Sequence, residues 1–587
     1  MRTYRSLLYP GSRVVSRKVV LIALLLAGAF AAPAHAQPVE LMPGVTYEKQ
    51  VRFTTHGPVG VNVLVAPRPG GLYSLQPVLS NELIQGSERL TAIEQRLAPT
   101  ATTAGVNGDV TAAGGRPDGF LMRGGALDHD PRTARTSAGV DTSGGLHFDR
   151  LSLYGYWQGS RSRRAFIDVN EPPRANDTTL FTPAWGPATP ASSRSLAVVL
   201  RPFPPAAPDT DLVGTSVQVV PGGAAAIPPD GAVLVARGTD VAALQAEAPV
   251  GQAVRIRFAL LPDWPSAGVT AALGGGPLLV KNGKPVFKAG ESIPVLDLAL
   301  RQPRTAVGQR ADGSIVMITV DGGLPGAGMT NFELGQTLAS LGAVTGTALA
   351  GGPASGMAFD GKLLSTPPHG GPPPLADALL VEYAGVVASQ PSAQAVSPNG
   401  DGVAESQALT YKIVRPSTVT VQLRGPDGIL RVNTQAQLAP GTYPFQWNAR
   451  RADGTPEVEG TWAFTVGSTD DLGRTSSAER DFTLDLTLGT PTTVSPLLTV
   501  PRLKPRPVAS FALTRQARVA EQIETPKGVL IRKLGTIAAG PGTLSVAWNG
   551  KTASGANVYS GRYVARVTAT SSVGTSDLTA SFTVRRK

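Results

Sequence analysis

The 587-residue chain contains no cysteine. That excludes disulfides, thiolate nucleophiles, zinc–thiolate centres and any lipid anchor carried on cysteine. Histidine is scarce as well: His35, His56, His129, His147 and His369 are scattered, and none falls in an H-x-x-x-H or H-E-x-x-H arrangement. The chain therefore offers no histidine-based metal motif. Dense basic runs are missing apart from Arg161–Arg164 and Arg502–Arg506, which argues against a nucleic-acid interface. After Ala32 there is no apolar run long enough to span a bilayer.

What the chain does have is turn chemistry. It carries 67 glycines and 51 prolines, with only 16% charged residues, a composition suited to short strands joined by many turns. A chain of this length predicts several domains, because single cores rarely exceed about 250–300 residues.

The first 36 residues read as an export signal. Arg2, Arg5, Arg13, Arg17 and Lys18 form a basic region, Val19 to Ala32 an apolar one, and Ala34-His-Ala36 a cleavage site before Gln37. The expected product is secreted, periplasmic or envelope-associated, without a transmembrane span. Removing the five basic residues of that segment reduces the formal charge from +11 to +6. This modest excess suits anionic wall polymers or phosphorylated glycans.

Residues 37–386 form the first predicted domain, of α+β class. Ser87 precedes a helix whose Leu90, Ile93 and Leu97 share one face. Thr330-Asn-Phe-Glu333 is a capping box that opens a second helix, carrying Leu334, Leu338 and Leu341 at i, i+4 and i+7. The segment after it, Ala343 to Met357, is an apolar strand feeding a loop with Gly351, Gly352, Ser355 and Gly356. Glycines after a buried strand let backbone N–H groups approach a ligand, and they also make ordinary tight turns. Arg135-Thr-Ser-Ala-Gly139 and the Asp/Gly turn after it read as a hairpin similar to the block that begins at Arg304.

A small polar linker, Val387 to Ala395, leads to an internal repeat. Pro440-Gly441, Trp447-Asn448, Gly460-x-Trp462 and Gly473 recur 101 residues later as Pro541-Gly542, Trp548-Asn549, Gly561-x-Tyr563 and Gly574. Alternating strands such as Ser417 to Leu423 and Arg562 to Ala569 make each copy an all-β sandwich. The expected boundaries are 395–486 and 500–587, with Thr490 to Pro507 as a semi-extended linker. Trp447 and Trp548 suit either core packing or carbohydrate platforms. Within Val396-Ser-Pro-Asn-Gly-Asp-Gly-Val403, Asn399 and Asp401 offer oxygens to calcium, while the same dipeptides make a tight turn. No other cofactor or metal site is expected.

Four ordered blocks carry a family resemblance. They are Ala104-Gly-Val-Asn-Gly-Asp-Val110 with Gly115 to Gly119, then Pro303-Arg-Thr-Ala-Val-Gly308 with Val320-Asp-Gly322, then the glycine loop, then Asp360-Gly361 running to Val381. Together they resemble the phosphodiester glycosidase family over roughly residues 40 to 385. The Trp-Asn turn followed by a Gly-x-aromatic strand resembles the immunoglobulin-like domain of the flagellar hook-capping protein. The first resemblance implies a hydrolase that cleaves sugar-1-phosphodiesters, here of cell-wall or exopolysaccharide glycans.

Carried onto this chain, it implies catalytic roles for Asp109, Asp321 and Arg304, with Arg304 clamping phosphate. It implies substrate binding by Asn107, Gly351, Gly352 and Ser355. The chain also departs from the family pattern. The loop usually reads Leu-Asp-Gly-Gly-Gly-Ser-Ser, whereas Ala350, Pro353 and Ala354 stand here; Gly323 replaces an arginine. A methyl group at position 350 cannot accept a proton or orient a sugar hydroxyl. The expectation is a glycosidase of weakened activity; the alternative is an inactive glycan-binding or envelope structural protein.

Overall fold

The computed structural model describes residues 38–587 except 55, 132–134, 167, 287–290, 292, 294, 323–327 and 367–370. The export signal, its cleavage site, Gly323 and His369 lie outside the described residues. Strands dominate, and helices are few and short. The α+β expectation for the first domain overstates its helical share, because the numerous glycines and prolines divide the chain into strands and turns.

An eight-stranded sheet supports the region of interest. Its order is Val39–Met42, Val45–Thr54, Gly57–Ala66, Ile315–Val320, Arg304–Arg310, Ala343–Ala348, Leu278–Lys281 and Lys284–Pro285. The central strands are apolar on both faces because both are covered. On one face Val61, Val316, Ile318 and Val320 pack with Leu334 and Leu338 of the helix Asn331–Ser340. That helix starts as its sequence dictates. Thr330 Oγ1 accepts from the Glu333 amide at 3.2 Å, and Glu333 Oε2 accepts from the Thr330 amide at 2.9 Å. On the other face Leu64, Val307, Ile315 and Met317 enter a core shared with Val106, Met357 and Leu379 of a five-stranded sheet. The central strands of that sheet are Met357–Phe359, Thr102–Asn107 and Asp377–Tyr383. Helix Leu90–Leu97 buries Leu90 and Ile93 against Ala358, Ala378 and Leu380.

A further five-stranded sheet contains Leu146–Arg150, Thr136–Asp141 and Val269–Gly274 as neighbours. Between the first and last of these, the chain builds another eight-stranded sheet with its own core, including Trp157, Phe258 and Trp264.

The two C-terminal units repeat one topology. Each has a three-stranded and a five-stranded sheet connected in the same order. Trp447 and Trp548 are 8% and 1% exposed and pack on Trp462 and on Tyr563 and Phe582. They are core residues, so the carbohydrate-platform alternative falls. The linkers read from the sequence are also structured. Val387–Ala388 and Ala395–Val396 add to the sheets of the first unit, and Thr492–Thr493 and Leu497–Val500 to those of the second. Pairing with strands already in place satisfies backbone groups that a free linker would leave to water.

The turn suggested for calcium has another use. Asp401 Oδ2 accepts from the Thr579 amide at 2.6 Å and its hydroxyl at 3.1 Å, while Oδ1 accepts from the Val403 amide. Asn399 Nδ2 donates to the Asp577 carbonyl. The turn therefore docks the first unit on the second, with the Asp401 oxygens facing N–H and O–H donors.

Candidate active site

The cleft forms where two glycine loops meet. Strand Ala343–Ala348 leaves the large sheet into Leu349-Ala-Gly-Gly352, and strand Val269–Gly274 leaves its own sheet into Gly275-Gly-Pro277. The Gly276 amide donates to the Ala348 carbonyl at 2.9 Å, and the Ala348 amide to the Pro277 carbonyl at 3.0 Å. A cleft of about 340 Å³ opens there, lined among others by Arg135, Asp118, Arg304, Gln302, Ala350 and Gly351.

Arg304 is the first residue of its strand and is 5% exposed. Its Nε donates to the Met329 carbonyl at 3.0 Å, and Nη2 to the carbonyls of Asp297 and Leu300, both at 2.6 Å. These partners are neutral oxygens, and no carboxylate pairs with the guanidinium among the described residues. Burial lowers its pKa to about 10, opposed only by the charge of Asp297. The group is still cationic at neutral pH, and its positive charge is not cancelled. Nη1, which none of these bonds uses, lies on the side of Gly351: a Cβ built there would stand 3.4 Å from it.

Asn107 terminates the strand Thr102–Asn107 and is fully buried. Nδ2 donates to the Ala350 carbonyl at 2.9 Å and to the Gly108 carbonyl at 3.3 Å. Oδ1 accepts from Thr305 Oγ1 at 2.7 Å and from the Gly356 amide at 3.1 Å. An asparagine side chain has two donors and two acceptor positions, and all are occupied. Asn107 thus holds the glycine loop in place and has no capacity left for a sugar hydroxyl, a correction to the role expected from the sequence.

Asp109 is close to the cleft but not on its surface. It is 1% exposed, with Oδ1 accepting from Arg135 Nη2 and its amide donating to Asp377 Oδ1 at 2.7 Å. Oδ2 is buried without a hydrogen-bond partner among the described residues, against the Cα atoms of Gly119 and Gly274. Burial raises the pKa of Asp109, and Arg135 offsets part of that rise. Burial, and then the charge of Asp109, push Asp377 up to about 7. Asp109 reaches the cleft only through Arg135.

Three expected residues are placed elsewhere or face inward. Asp321 points to the opposite face of the sheet from Arg304, where Lys49 Nζ, Asn62 Nδ2 and the Thr366 amide engage it at 2.9, 2.7 and 2.9 Å. Successive residues of a strand alternate faces, and Arg304 pairs with Val320, so Asp321 falls on the side of Thr305. Ser355 is 3% exposed, and its Oγ is buried without a partner among the described residues rather than lining the cleft. Gly352 lies beneath the loop with φ of +66°, a conformation that favours glycine, and its amide donates to the Pro303 carbonyl. Of the expected set, the structure brings Arg304 and Gly351 to the cleft wall, with Asn107 and Asp109 directly behind it. Among the described residues, no cluster of three His, Asp or Glu side chains is arranged to hold a metal ion.

Arg135 is a residue that motif reading missed. Its Nη1 donates to Asp118 Oδ2 at 2.8 Å, its Nη2 to Asp109, and its Nε to the Gly275 carbonyl at 3.0 Å. The signal was in the sequence, in the likeness of the Arg135 and Arg304 blocks.

Residues 212–382 match the phosphodiester glycosidase family model. That stretch of the chain is of phosphodiester glycosidase type. The match includes Arg304 and the glycine loop, whereas Asn107, Asp109 and Arg135 precede it and are joined to it by the sheets described above. Over 119 residues the chain is 34% identical to the SPbeta prophage-derived uncharacterized protein YomE of Bacillus subtilis (strain 168), covering 20% of this chain and 18% of that protein. A hypothetical protein from Synechocystis shares the fold with a TM-score of 0.52 and 23% identity, over 60% of this chain and 64% of that one. The zebrafish N-acetylglucosamine-1-phosphodiester alpha-N-acetylglucosaminidase catalytic domain, auto-inhibited by its pro-peptide, aligns with a TM-score of 0.32 and 12% identity, over 60% and 85% of the respective chains.

Proposed function

We propose that this protein is an exported phosphodiester glycosidase of weakened activity that acts on sugar-1-phosphodiesters of wall or exopolysaccharide glycans. The observation that supports this most directly is the uncancelled charge of Arg304 in a polar cleft beside Gly351. A guanidinium presents paired donors suited to two phosphate oxygens. Cleavage between the anomeric carbon and the phosphate oxygen leaves a phosphomonoester, so a cation held at that phosphate favours departure of the leaving group. The basic, apolar and small-residue regions of residues 1–36 support export. The two C-terminal units, each of three and five strands, fit immunoglobulin-like modules that present the first domain to a polymer.

One observation favours a second reading. Ala350 places a methyl group on the cleft wall where the family loop has a carboxylate, and Asp109 lies behind Arg135. A glycan-binding protein without turnover fits that arrangement.

The test is hydrolysis of an N-acetylglucosamine-1-phosphodiester by wild type, Arg304→Ala and Ala350→Asp. The proposal expects slow wild-type turnover, loss of a hundredfold or more in Arg304→Ala, and a gain in Ala350→Asp. A loss of this size corresponds to about 2.7 kcal/mol of transition-state stabilisation. Turnover that Arg304→Ala leaves intact overturns the assignment. Retained glycan binding with no turnover in any form selects the second reading.

A further inference from the structure

The two arginines of the cleft occupy equivalent places in a duplicated unit. In the first copy Arg135 is followed by Thr136, a glycine three residues on, and a turn to Leu146. In the second Arg304 is followed by Thr305, a glycine three residues on, and a turn to Ile315. The hairpins have the same register: Thr136 faces Arg150 and Gly139 faces His147, as Thr305 faces Thr319 and Gly308 faces Val316. Each hairpin pairs its first strand with a third, antiparallel strand, Val269–Gly274 in one and Ala343–Ala348 in the other. Both third strands end in similar loops, Ala272-Leu-Gly-Gly-Gly-Pro277 and Ala348-Leu-Ala-Gly-Gly-Pro353. The loop motif is displaced by two residues relative to the ladder register, which preserves the face each side chain occupies. The copies meet through the Gly276, Pro277 and Ala348 backbone bonds, and both arginines line the cleft between them.

The copies differ in charge. Arg304 is bound to three carbonyls and, among the described residues, to no carboxylate, with only the nearby charge of Asp297 acting on it, whereas Arg135 is bound to two carboxylates. Those carboxylates are not equivalent. Asp109 is completely buried beneath Arg135, and burial resists its ionisation. Asp118 is partly exposed, and its side chain lines the cleft. Burial works against the charge of Arg135, but Asp109 and Asp118 outweigh it and raise the pKa. A carboxylate on a cleft-facing arginine occupies the position that a phosphate oxygen would take.

We propose that Arg135 is the second arm of the anion clamp whose first arm is Arg304, and that Asp118 is a built-in competitor which an entering phosphate displaces from it. Asp109 stays in place and positions the Arg135 fork. The inference deepens the reading of the cleft as a phosphodiester site, and it adds a selectivity. An anion that bridges both arms is favoured over one that reaches Arg304 alone.

The experiment titrates the full chain with inorganic phosphate and with dimethyl phosphate by calorimetry, at low ionic strength. Wild type, Arg304→Ala, Arg135→Ala, Arg135→Lys, Asp118→Asn and the Arg135→Ala/Asp118→Asn double variant are compared, with circular dichroism and melting as folding controls. Loss of either arm is expected to weaken binding at least tenfold. Asp118→Asn is expected to tighten it at least threefold, and the double variant to match Arg135→Ala, because Asp118 is proposed to compete with the anion through its ion pair with Arg135. A purely structural Asp118 gives the opposite sign, so unchanged or weaker binding in Asp118→Asn overturns the proposal. Undiminished binding in a folded Arg135→Ala or Arg135→Lys variant overturns it too, as does wild type and Asp118→Asn both failing to bind. These readouts need no turnover. Clamp behaviour in a protein that hydrolyses nothing upholds this inference while rejecting the hydrolase.

Discussion

Thr305 Oγ1 donates to Asn107 Oδ1 at 2.7 Å across 198 residues of chain. Thr305 follows Arg304 on one sheet, and Asn107 ends the central strand of another, two residues before Asp109. The same amide side chain holds the Ala350 carbonyl and the Gly356 amide. One buried asparagine therefore fixes the distance between the arginine strand, the glycine loop and the Asp109 turn.

Replacing it should loosen all three. Asn107→Ala leaves the Ala350 carbonyl and the Gly356 amide without these bonds, and each unsatisfied buried group costs about 1–3 kcal/mol. The expected outcome is a destabilisation of about 3 kcal/mol or more, with faster hydrogen exchange at the amides of 350 to 356. Exchange that stays unchanged while the protein remains folded contradicts the fastening role.

Asp377 predicts a pH dependence of defined sign. Its folded pKa is about 7, raised first by burial and then by Asp109. An unfolded aspartate titrates near 3.9. Between those values the folded state holds a proton that the unfolded state has lost, so stability falls as pH rises from about 4 to about 7. At about 1.4 kcal/mol per pKa unit the effect is at most about 4 kcal/mol. Asp377→Asn keeps an acceptor for the Asp109 amide and removes the titration. Its melting temperature should exceed that of wild type at pH 8, and the gap should close by pH 4.5. A gap that is the same at both pH values refutes the assignment.

Gly274 makes room for Asp109. A Cβ there would lie 2.2 Å from Asp109 Oδ2 and 3.1 Å from the Gly119 Cα. Gly274→Ala must displace the carboxylate, and with it the Arg135 that the carboxylate holds. Overpacking of this kind costs about 1–3 kcal/mol. The variant should melt lower and bind phosphate more weakly than wild type; normal values for both would show that the pocket behind Arg135 is more yielding than its geometry implies.

Asp401 predicts a mechanical effect. With its oxygens on Thr579 and Val403, Asp401→Ala should loosen the contact between the two C-terminal units. Small-angle scattering should then report a broader distribution of distances, and proteolysis near residues 485–495 should accelerate. Calcium or a chelator should change neither property in wild type. A calcium-dependent compaction would restore the ion-binding reading of this turn.

Much of this arrangement is written in short-range sequence. The Thr330–Glu333 capping box and the leucines after it set the start and buried face of a helix, because both depend on residues within two turns of one another. The 101-residue repeat gave two units of one topology, since the same pattern of turns and alternating side chains folds the same way twice. Arg304 and Gly351 were legible as a pair from the family blocks. What the sequence could not decide was direction and saturation. Asp321 and Arg304 come from neighbouring strands, but alternation across the pleat sends them to opposite faces. Asn107 has the chemistry of a sugar ligand, but Thr305, Ala350, Gly356 and Gly108 occupy its hydrogen-bonding capacity, and three of these are distant in sequence. Arg135 and Asp118 reach the cleft because a sheet inserted between Arg150 and Val269 lets two similar hairpins meet at their glycine loops. Local pattern fixes which elements form, whereas the faces and partners of a charged side chain depend on strands far along the chain, and only the folded sheets bring those together.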